Sequence, residues 1–246
     1  MKLVQLNIWQ GKITIAVIQF LKEQDADIVC LQEVFSSSPT IGLIDNFSAL
    51  EQIQKDLDYP YCYFEPTTEF FVGGVKVSFG NCILSKFKIT NKRVFFTNHE
   101  FNRVENFAKP HASNIRNCLV ATIETPHGFL TVLNHHGYHE FSPVGSEITV
   151  EKMKIVGDEA KKINGPLILA GDLNVTSASK SMRVFDDWLE DLTDKHKIPD
   201  TLTIFGKVHG VPCDHILVNK QIKVNKFEVS KSLVSDHTPL VLEFDL

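Results

Sequence analysis

The chain has 246 residues, of which 43% are hydrophobic and 22% are charged, and its formal net charge is −5. This length and composition support a large buried core in one domain spanning residues 1–246. The mild acidic balance argues against a protein that coats nucleic acid by bulk electrostatics, although a few local cations would still suit a nuclease.

Targeting signals and paired cysteines are not evident in the sequence. No stretch approaches the roughly 20 apolar residues that cross a bilayer, and the first residues do not form a secretory signal. The 5 cysteines lack close paired spacing, which favours reduced thiols over a disulfide framework. We therefore expect a cytoplasmic protein with no membrane span.

The first third of the chain alternates between strand and helix patterns. Residues 3–9 alternate as in a strand, and apolar residues recur at helical spacing from Ile13 to Leu21. The apolar run Asp27–Glu33 is typical of a strand buried on both faces. A second helix is predicted around residues 46–57.

Strand patterns dominate from about residue 59 to 136, and helices return after that. A helix is predicted near 146–163, followed by the buried strand Leu167–Ala170. A short helix near 178–191 and further strands complete the chain. Periodicity alone predicts an α/β protein with many strands.

Polar side chains stand at several places where an apolar strand finishes or begins. Ligand sites in α/β sheets gather at strand ends, where loops from several strands converge. A single polar residue there would mean little, but a repeated pattern predicts one shared site. The pattern comprises Asn7, Glu33, Asn134 with His136, Asp172 with Asn174, and Asp236 with His237.

These segments resemble the endonuclease/exonuclease/phosphatase superfamily, which has the DNase I-like fold. The resemblance implies a four-layer α/β sandwich, in which helices flank two packed mixed β-sheets. It also implies a divalent-metal-dependent phosphoesterase. The matching segments occur in the family's order between positions 7 and 237: LNIW, LQEV, LNHHG, GDLNV, CDHILV and SDHTPL.

The resemblance assigns metal binding to residues with oxygen donors. Mg²⁺, or Mn²⁺ in its place, prefers carboxylate and amide oxygens. Glu33 is therefore expected to be a ligand, with Asn7 and Asp236 beside it. Taken without the resemblance, Glu33 would be a surface acid at the end of a strand.

Asp172 is the expected general base, and Asn174 is expected to hydrogen-bond the nucleophile or a developing phosphorane oxygen. Gly171 is expected to let the backbone turn sharply, so that the acid faces the site. The alternative is an Asx turn that closes the strand, because Asp and Asn are ordinary turn formers.

Two histidines are expected to donate hydrogen bonds to the phosphate oxygens: His136 and His237. Asp214 resembles the family acid that pairs with the C-terminal histidine and favours its charged form. Two alternatives stay open. Asp214 could instead cap a loop, and His135 could replace His136, because the family's usual Asn-X-His-Leu ends here in Gly137.

Weaker matches predict substrate contacts for Asn81 and Arg116. The sequence agrees equally well with each being an ordinary residue of a surface strand. A minority of the aromatic residues fall in loops beside the predicted site and could stack on a base or contact a lipid. They are Phe101, Phe107, Tyr138 and Phe141.

The expected substrate is a phosphate ester, foremost a phosphodiester in DNA, RNA or a nucleotide. A sphingomyelinase-like lipid enzyme, a small-molecule phosphodiesterase or phosphatase, and a non-catalytic phosphate-binding module are the alternatives. Clustered carboxylates would repel a phosphate without a metal, which disfavours the binding module. We expect a monomer, because the site needs no second chain.

Overall fold

The computed structural model describes residues 1–37, 45–104, 114–206 and 208–246. Its α-helices are α1 (Thr14–Gln24), α2 (Ala49–Asp56), α3 (Glu147–Ala160) and α4 (Leu192–Lys195). Its strands are β1 (Lys2–Asn7), β2 (Ile28–Ser37), β3 (Tyr61–Val72), β4 (Val75–Ser85), β5 (Lys88–Asn98), β6 (Asn102–Arg103), β7 (Arg116–Thr125), β8 (Gly128–His135), β9 (Leu167–Asp172), β10 (Glu190–Asp191), β11 (Asp214–Val218), β12 (Lys223–Val229) and β13 (Leu240–Asp245).

The strands form two mixed sheets, as predicted. The first has 7 strands in the order β12-β13-β1-β2-β4-β3-β6, and the second has 6 in the order β10-β11-β9-β8-β7-β5. Most neighbours are antiparallel, but β1 pairs with β2, β3 with β6, and β8 with β9 in parallel. The β1–β2 and β8–β9 pairs lie at the centre of the sheets, so their carboxyl ends open on one edge.

Side chains of alternating strand positions enter different cores, which produces four layers. Leu3 packs between the two sheets with residues such as Val132, while Val4 packs on the opposite face against α1 and α2. On the far side, α3 covers the second sheet through Met153 and its neighbours. The predicted four-layer sandwich is therefore confirmed.

The helices differ from prediction mainly at their ends and in the segment after β9. The helix predicted at 46–57 begins with a 3₁₀ turn, and α2 itself starts at Ala49. The helix predicted near 178–191 is only a 3₁₀ turn, Lys180–Val184, capped by Ser179 and packed against α3. Among the described residues, no helix has the length and apolar character needed to cross a membrane.

Gly171 has a different role from the sharp turn that the sequence suggested. It lies within β9, and the chain bends only later, at Asn174, whose φ is +57°. A Cβ atom on Gly171 would lie 1.8 Å from the carbonyl oxygen of His135. The glycine is therefore required because β8 and β9 approach too closely for any side chain.

We predict that Gly171→Ala lowers the free energy of unfolding by about 3 kcal/mol or more, because a backbone carbonyl cannot yield as a side chain can. Urea denaturation followed by circular dichroism measures this loss. Gly73→Ala is the control: its φ is +56°, but no atom lies within 4 Å of the added Cβ. The control should cost only about 1 kcal/mol from backbone strain. Equal losses in the two variants would show that the close contact is not limiting.

Candidate active site

The ends of strands from both sheets meet at one edge and bring most of the predicted residues together. Asn7 ends β1, opposite Gln32 of the parallel neighbour β2. Asp172 ends β9, directly opposite Asp214 of the antiparallel neighbour β11. His237 follows in the loop before β13. Residues far apart in sequence thus share one small volume.

Asp172 lies at the centre of this volume and is almost fully buried. Its Oδ2 atom accepts a hydrogen bond from Asn7 Nδ2 at 3.0 Å, with His136 Nε2 at 3.5 Å and His237 Nε2 at 3.7 Å. Its Oδ1 atom accepts the backbone N–H of Asn174 at 3.0 Å, which is an Asx turn. Asp172 therefore closes an Asx turn and also faces the site, because each role uses a different carboxylate oxygen.

His237 is held by Asp214, the pairing that the resemblance implied. His237 Nδ1 lies 2.7 Å from Asp214 Oδ2, and Gln5 Nε2 donates to the other Asp214 oxygen at 3.0 Å. Burial disfavours the charged ring, but the carboxylates of Asp214 and Asp172 outweigh it and raise the pKa of His237 well above its usual value. The ring is thus a cationic donor at neutral pH.

Glu33 occupies a bulge in β2, where the register with β4 shifts between Leu31 and Val34. Its φ of +57° is uncommon for a residue with a side chain and marks a conformation held by its surroundings. Burial raises the pKa of this carboxyl, while His237, Asn7 and other neighbours act in the opposite direction. The bulge thus directs the Glu33 carboxyl into the site.

Asp236 completes the group of acids. Burial, with Glu33 and Asp172 nearby, raises the pKa of its carboxyl to about 6, although His237 opposes the shift. The preceding residue, Ser235, fixes this loop to β1 by donating its hydroxyl to the carbonyl oxygen of Asn7 at 2.6 Å. The loop therefore brings Asp236 and His237 to the edge of the first sheet together.

The donor set fits a hard divalent cation. Burial raises the pKa values of Glu33, Asp172 and Asp236, because the site gathers carboxyl groups whose ionised forms are shielded from water. A divalent cation would offset their negative charge. Mg²⁺ and Mn²⁺ favour such oxygen donors, and Glu33 with Asp236 would hold the ion, with Asn7 beside them.

A second group of potential ligand atoms lies deeper and fits a metal less well. Single atoms of Asp172, Cys213 and His237 lie within 4.8 Å of one another. Burial, with the nearby carboxylates of Asp172 and Asp214, raises the pKa of the Cys213 thiol, and only a thiolate is a good ligand. The ring of His237 also stays positively charged, as described above. The oxygen set is therefore the better candidate.

The structure places His136, not His135, against Asp172. His135 Nδ1 lies 3.0 Å from the carbonyl oxygen of Asn117, and burial lowers the pKa of its ring to about 4, so the ring is neutral. The following Gly137 departs from the family pattern for a steric reason. A Cβ there would lie 2.1 Å from the carbonyl oxygen of Leu173.

Arg116 and Asn81, the weaker candidates, are both buried. Burial lowers the pKa of Arg116, but Glu33 and Asp172 counteract this shift, so a buried guanidinium lies near the site carboxylates. Asn81 donates from Nδ2 to Asn117 Oδ1 at 2.8 Å, a contact that joins β4 to β7 of the other sheet. Substrate binding by either residue stays a prediction. The side chain of Asn174 donates to the Gly137 carbonyl oxygen, and its proposed contact with the nucleophile also stays a prediction.

The loop aromatics predicted to contact substrate are placed unevenly. Phe141 and Phe101 are exposed, and Tyr138 is half-buried after His136 and Gly137. Phe107 lies outside the described residues. No hydrogen bond or ring contact connects the exposed pair to the site in the part of the chain that the structure describes, so their substrate contact also stays a prediction.

Sequence reasoning missed a chain of buried amides that supports the site between the sheets. Gln5 Nε2 donates to Gln32 Oε1 at 2.9 Å, and Gln32 Nε2 donates to Asn134 Oδ1 at 2.7 Å. Asn134 in turn donates to the carbonyl oxygens of Leu31 and Cys82. A glutamine inside each of two apolar strand runs was the available signal, because an unpaired buried amide is costly.

Next to Asp214, a buried ion pair fixes strand β11. His215 Nδ1 lies 3.0 Å from Asp191 Oδ2, and Nε2 lies 2.8 Å from the carbonyl oxygen of Val175. Both partners can only accept, so both ring nitrogens carry protons. Burial opposes the charge, but Asp191 outweighs it and raises the pKa of His215, while the pKa of Asp191 is lowered despite its own burial.

This pair gives the protein a pH-dependent stability. The raised pKa of His215 means that its contribution is complete below about pH 6.5, the usual histidine value, and is lost as pH rises through the folded-state pKa. The lowered pKa of Asp191 means that its contribution is complete above about pH 4 and is lost as pH falls through the folded-state value.

We predict that Asp191→Asn costs about 3 kcal/mol of unfolding free energy near pH 5.5, because it leaves a buried cation unpaired. The cost should shrink as pH rises through the raised pKa of His215. Urea denaturation between pH 5 and 9 measures it. The control, Asp186→Asn, removes an exposed ion pair with Arg183 and should have little effect at any pH. A constant cost of Asp191→Asn across this range would refute the charged His215.

The chain matches a known protein family along nearly its whole length. A sequence model of the Endonuclease/Exonuclease/phosphatase family matches residues 4–237. A UPF0294 protein of Vibrio cholerae serotype O1 is 30% identical over 119 residues, which are 48% of this chain and 40% of that relative. The match to this curated relative therefore spans less than half of its length.

Solved structures show the same fold. An endonuclease/exonuclease/phosphatase protein from Bacteroides vulgatus gives a TM-score of 0.75 at 18% identity, covering 100% of this chain and 98% of that one. A mannosyl-6-phosphatase of Bacteroides thetaiotaomicron gives 0.74 at 18% identity and covers 100% of both chains. At these identities the likeness establishes the shared architecture and no more.

Proposed function

The chain belongs to the endonuclease/exonuclease/phosphatase family, and from that premise we propose that it hydrolyses a phosphate ester with the help of Mg²⁺ or Mn²⁺. One observation carries the proposal. The Oδ2 atom of Asp172 faces Asn7, His136 and His237 at the edge where the acids Glu33 and Asp236 also lie. That arrangement combines a base, hydrogen-bond donors and a set of hard oxygen ligands.

When bound by Glu33 and Asp236, with Asn7 beside them, the metal ion would offset negative charge on the phosphoryl oxygens. The two acids lie near each other, because Glu33, in its bulge, adds to the effect of burial in raising the pKa of the Asp236 carboxyl. Arg116 adds a buried positive charge on the same side.

Asp172 is the proposed general base and withdraws a proton from the attacking water. Its raised pKa brings the carboxyl closer to the solution pH, where a base accepts a proton more effectively. The Asx turn holds the other oxygen of the carboxylate, so Oδ2 keeps one orientation. Asn174, at that turn, is the proposed partner of the nucleophile.

His237 and His136 are the proposed donors to the non-bridging phosphate oxygens. Asp214 orients the His237 ring through Nδ1 and keeps it charged, which leaves Nε2 to face the site. One preorganised donor of this kind is worth about 3 kcal/mol in the transition state. No protein nucleophile is required in this scheme.

A module that only binds phosphate fits these residues poorly. Glu33, Asp172 and Asp214 are buried together, and Asp236 lies beside them. Without a metal their charges would repel a phosphate dianion. A phosphodiester of a nucleotide or nucleic acid is the proposed substrate class, whereas the lipid and small-molecule esters are alternatives that a substrate panel separates.

We predict that Asp172→Asn lowers kcat about 10²- to 10⁴-fold, the usual contribution of a positioned general base. The assay uses bis-p-nitrophenyl phosphate, DNA, RNA, sphingomyelin and a sugar phosphate with Mg²⁺, Mn²⁺ or EDTA. EDTA should abolish turnover of the preferred substrate. Asp186→Asn, in an exposed ion pair with Arg183, is the matched control and should retain full activity.

Two results would contradict this function. Turnover that survives both EDTA and Asp172→Asn would mean that another site or another mechanism cleaves the ester. A folded protein that cleaves no substrate of the panel would remove the support for hydrolysis.

A further inference from the structure

Two aromatic rings stack on each other at the rim of the site, and the proposed chemistry uses neither. The rings of Trp9 and Phe205 have centroids 5.9 Å apart and planes only 17° from parallel. They come from opposite ends of the chain, and neither belongs to a regular core cluster. A nearly parallel pair outside the core calls for an explanation other than packing.

Hydrogen bonds connect the backbone segments that carry the two rings to residues of the site. The backbone N–H of Trp9 donates to Asn7 Oδ1 at 3.0 Å. The loop that carries Phe205 is fixed by Thr203, whose N–H donates to the carbonyl oxygen of Asp236 at 2.8 Å. Trp9 thus contacts one proposed metal ligand, Asn7, and Phe205 lies two residues from Thr203, which contacts another, Asp236. The stack therefore borders the position of a bound phosphate.

The backbone holds the Trp9 ring in an unfavourable conformation. Trp9 and Gln10 have φ values of +51° and +59°, a left-handed pair without glycine. Such conformations persist where the surroundings impose them, and they cluster at ligand sites. Here the constraint comes from the site itself, because Gln10 also hydrogen-bonds Glu33.

The stack leaves an aromatic surface open to solvent beside a cation. Phe205 is 42% exposed, although it already contacts Trp9. Lys12 Nζ lies 3.9 Å from the centroid of the Trp9 ring. A ring that joins the stack at Phe205 would therefore extend a π stack whose other member, Trp9, already carries a cation on its ring.

We infer that Trp9 and Phe205 form a stacking platform for a nucleobase carried by the phosphate ester. This inference rests on the proposed function, and it names the substrate class as nucleotides. The base continues the stack from Phe205, while the phosphate occupies the site of Asp172 and His237. A lipid surface would be met by the exposed Ile204 and Val208 as well, but it would require neither parallel rings nor the strained Trp9 backbone.

The test compares two ligands that differ only in the base: adenosine 5′-monophosphate and ribose 5-phosphate, each titrated with Mg²⁺ present. The sequence has 2 tryptophans, so Trp188→Phe leaves Trp9 as the single tryptophan, whose fluorescence is excited selectively at long wavelength. We expect the adenosine compound to quench Trp9 and to bind about 5- to 150-fold more tightly, the range for stacking one base on an aromatic ring.

Variants in this background assign the preference to the platform. Phe205→Leu should remove it, whereas Phe205→Tyr, which keeps the ring, should retain it. Phe129→Leu removes an exposed aromatic residue at the start of β8, at the opposite end of the strand from the site, and should change nothing. Circular dichroism verifies that each variant is folded.

Equal affinity for the two compounds, or a preference that survives Phe205→Leu, would overturn the inference. So would a Trp9 blue shift with phosphatidylcholine vesicles in the absence of a base preference, which would indicate a lipid surface instead. The titration requires no turnover. A base preference in a protein that cleaves no ester would therefore contradict only the proposed function, and ester cleavage without a base preference would contradict only the platform.

Discussion

The burial of like charges at the junction of two sheets is the constraint on which the rest of the structure depends. Asp172 and Asp214 face each other in the register of β9 and β11, with Glu33 and Asp236 nearby. Isolated buried carboxylates are costly and repel one another. The protein offsets this with the charged ring of His237, the guanidinium of Arg116 and the amide of Asn7.

This compensation extends into the scaffold. The amides of Gln5, Gln32 and Asn134 form a continuous chain of hydrogen bonds from Asp214 to the backbone of both β2 and β4. Each of the three amide groups donates at least one hydrogen bond, and a buried network of this kind favours one arrangement of the strands. Most of the inter-sheet space is apolar, so these amides, with the Asn81–Asn117 contact, orient the site edge of one sheet against the other. The hydrogen bonds that join the two sheets therefore also hold Asp214 in the site.

Much of this could be predicted because strand patterns are local. The apolar runs that end at Asn7, Glu33 and Asp172 form neighbouring or facing strands, so their last polar residues meet at one edge. The choice between His135 and His136 depends on the long-range fit of β8 against β9, which no local pattern encodes. For the same reason the role of Gly171 was mistaken, since its neighbour in space is His135 and not its own turn.

The stacked pair of Trp9 and Phe205 illustrates the same limit, because two rings near opposite ends of the chain meet only after the sheets close.

We propose above all that the crowded acids form a metal site. Anomalous diffraction from a crystal soaked in Mn²⁺ tests it most directly. We predict a manganese peak between the carboxylates of Glu33 and Asp236, lost in Glu33→Gln. A peak only at Asp172, Cys213 and His237, or none at the site edge, would contradict it.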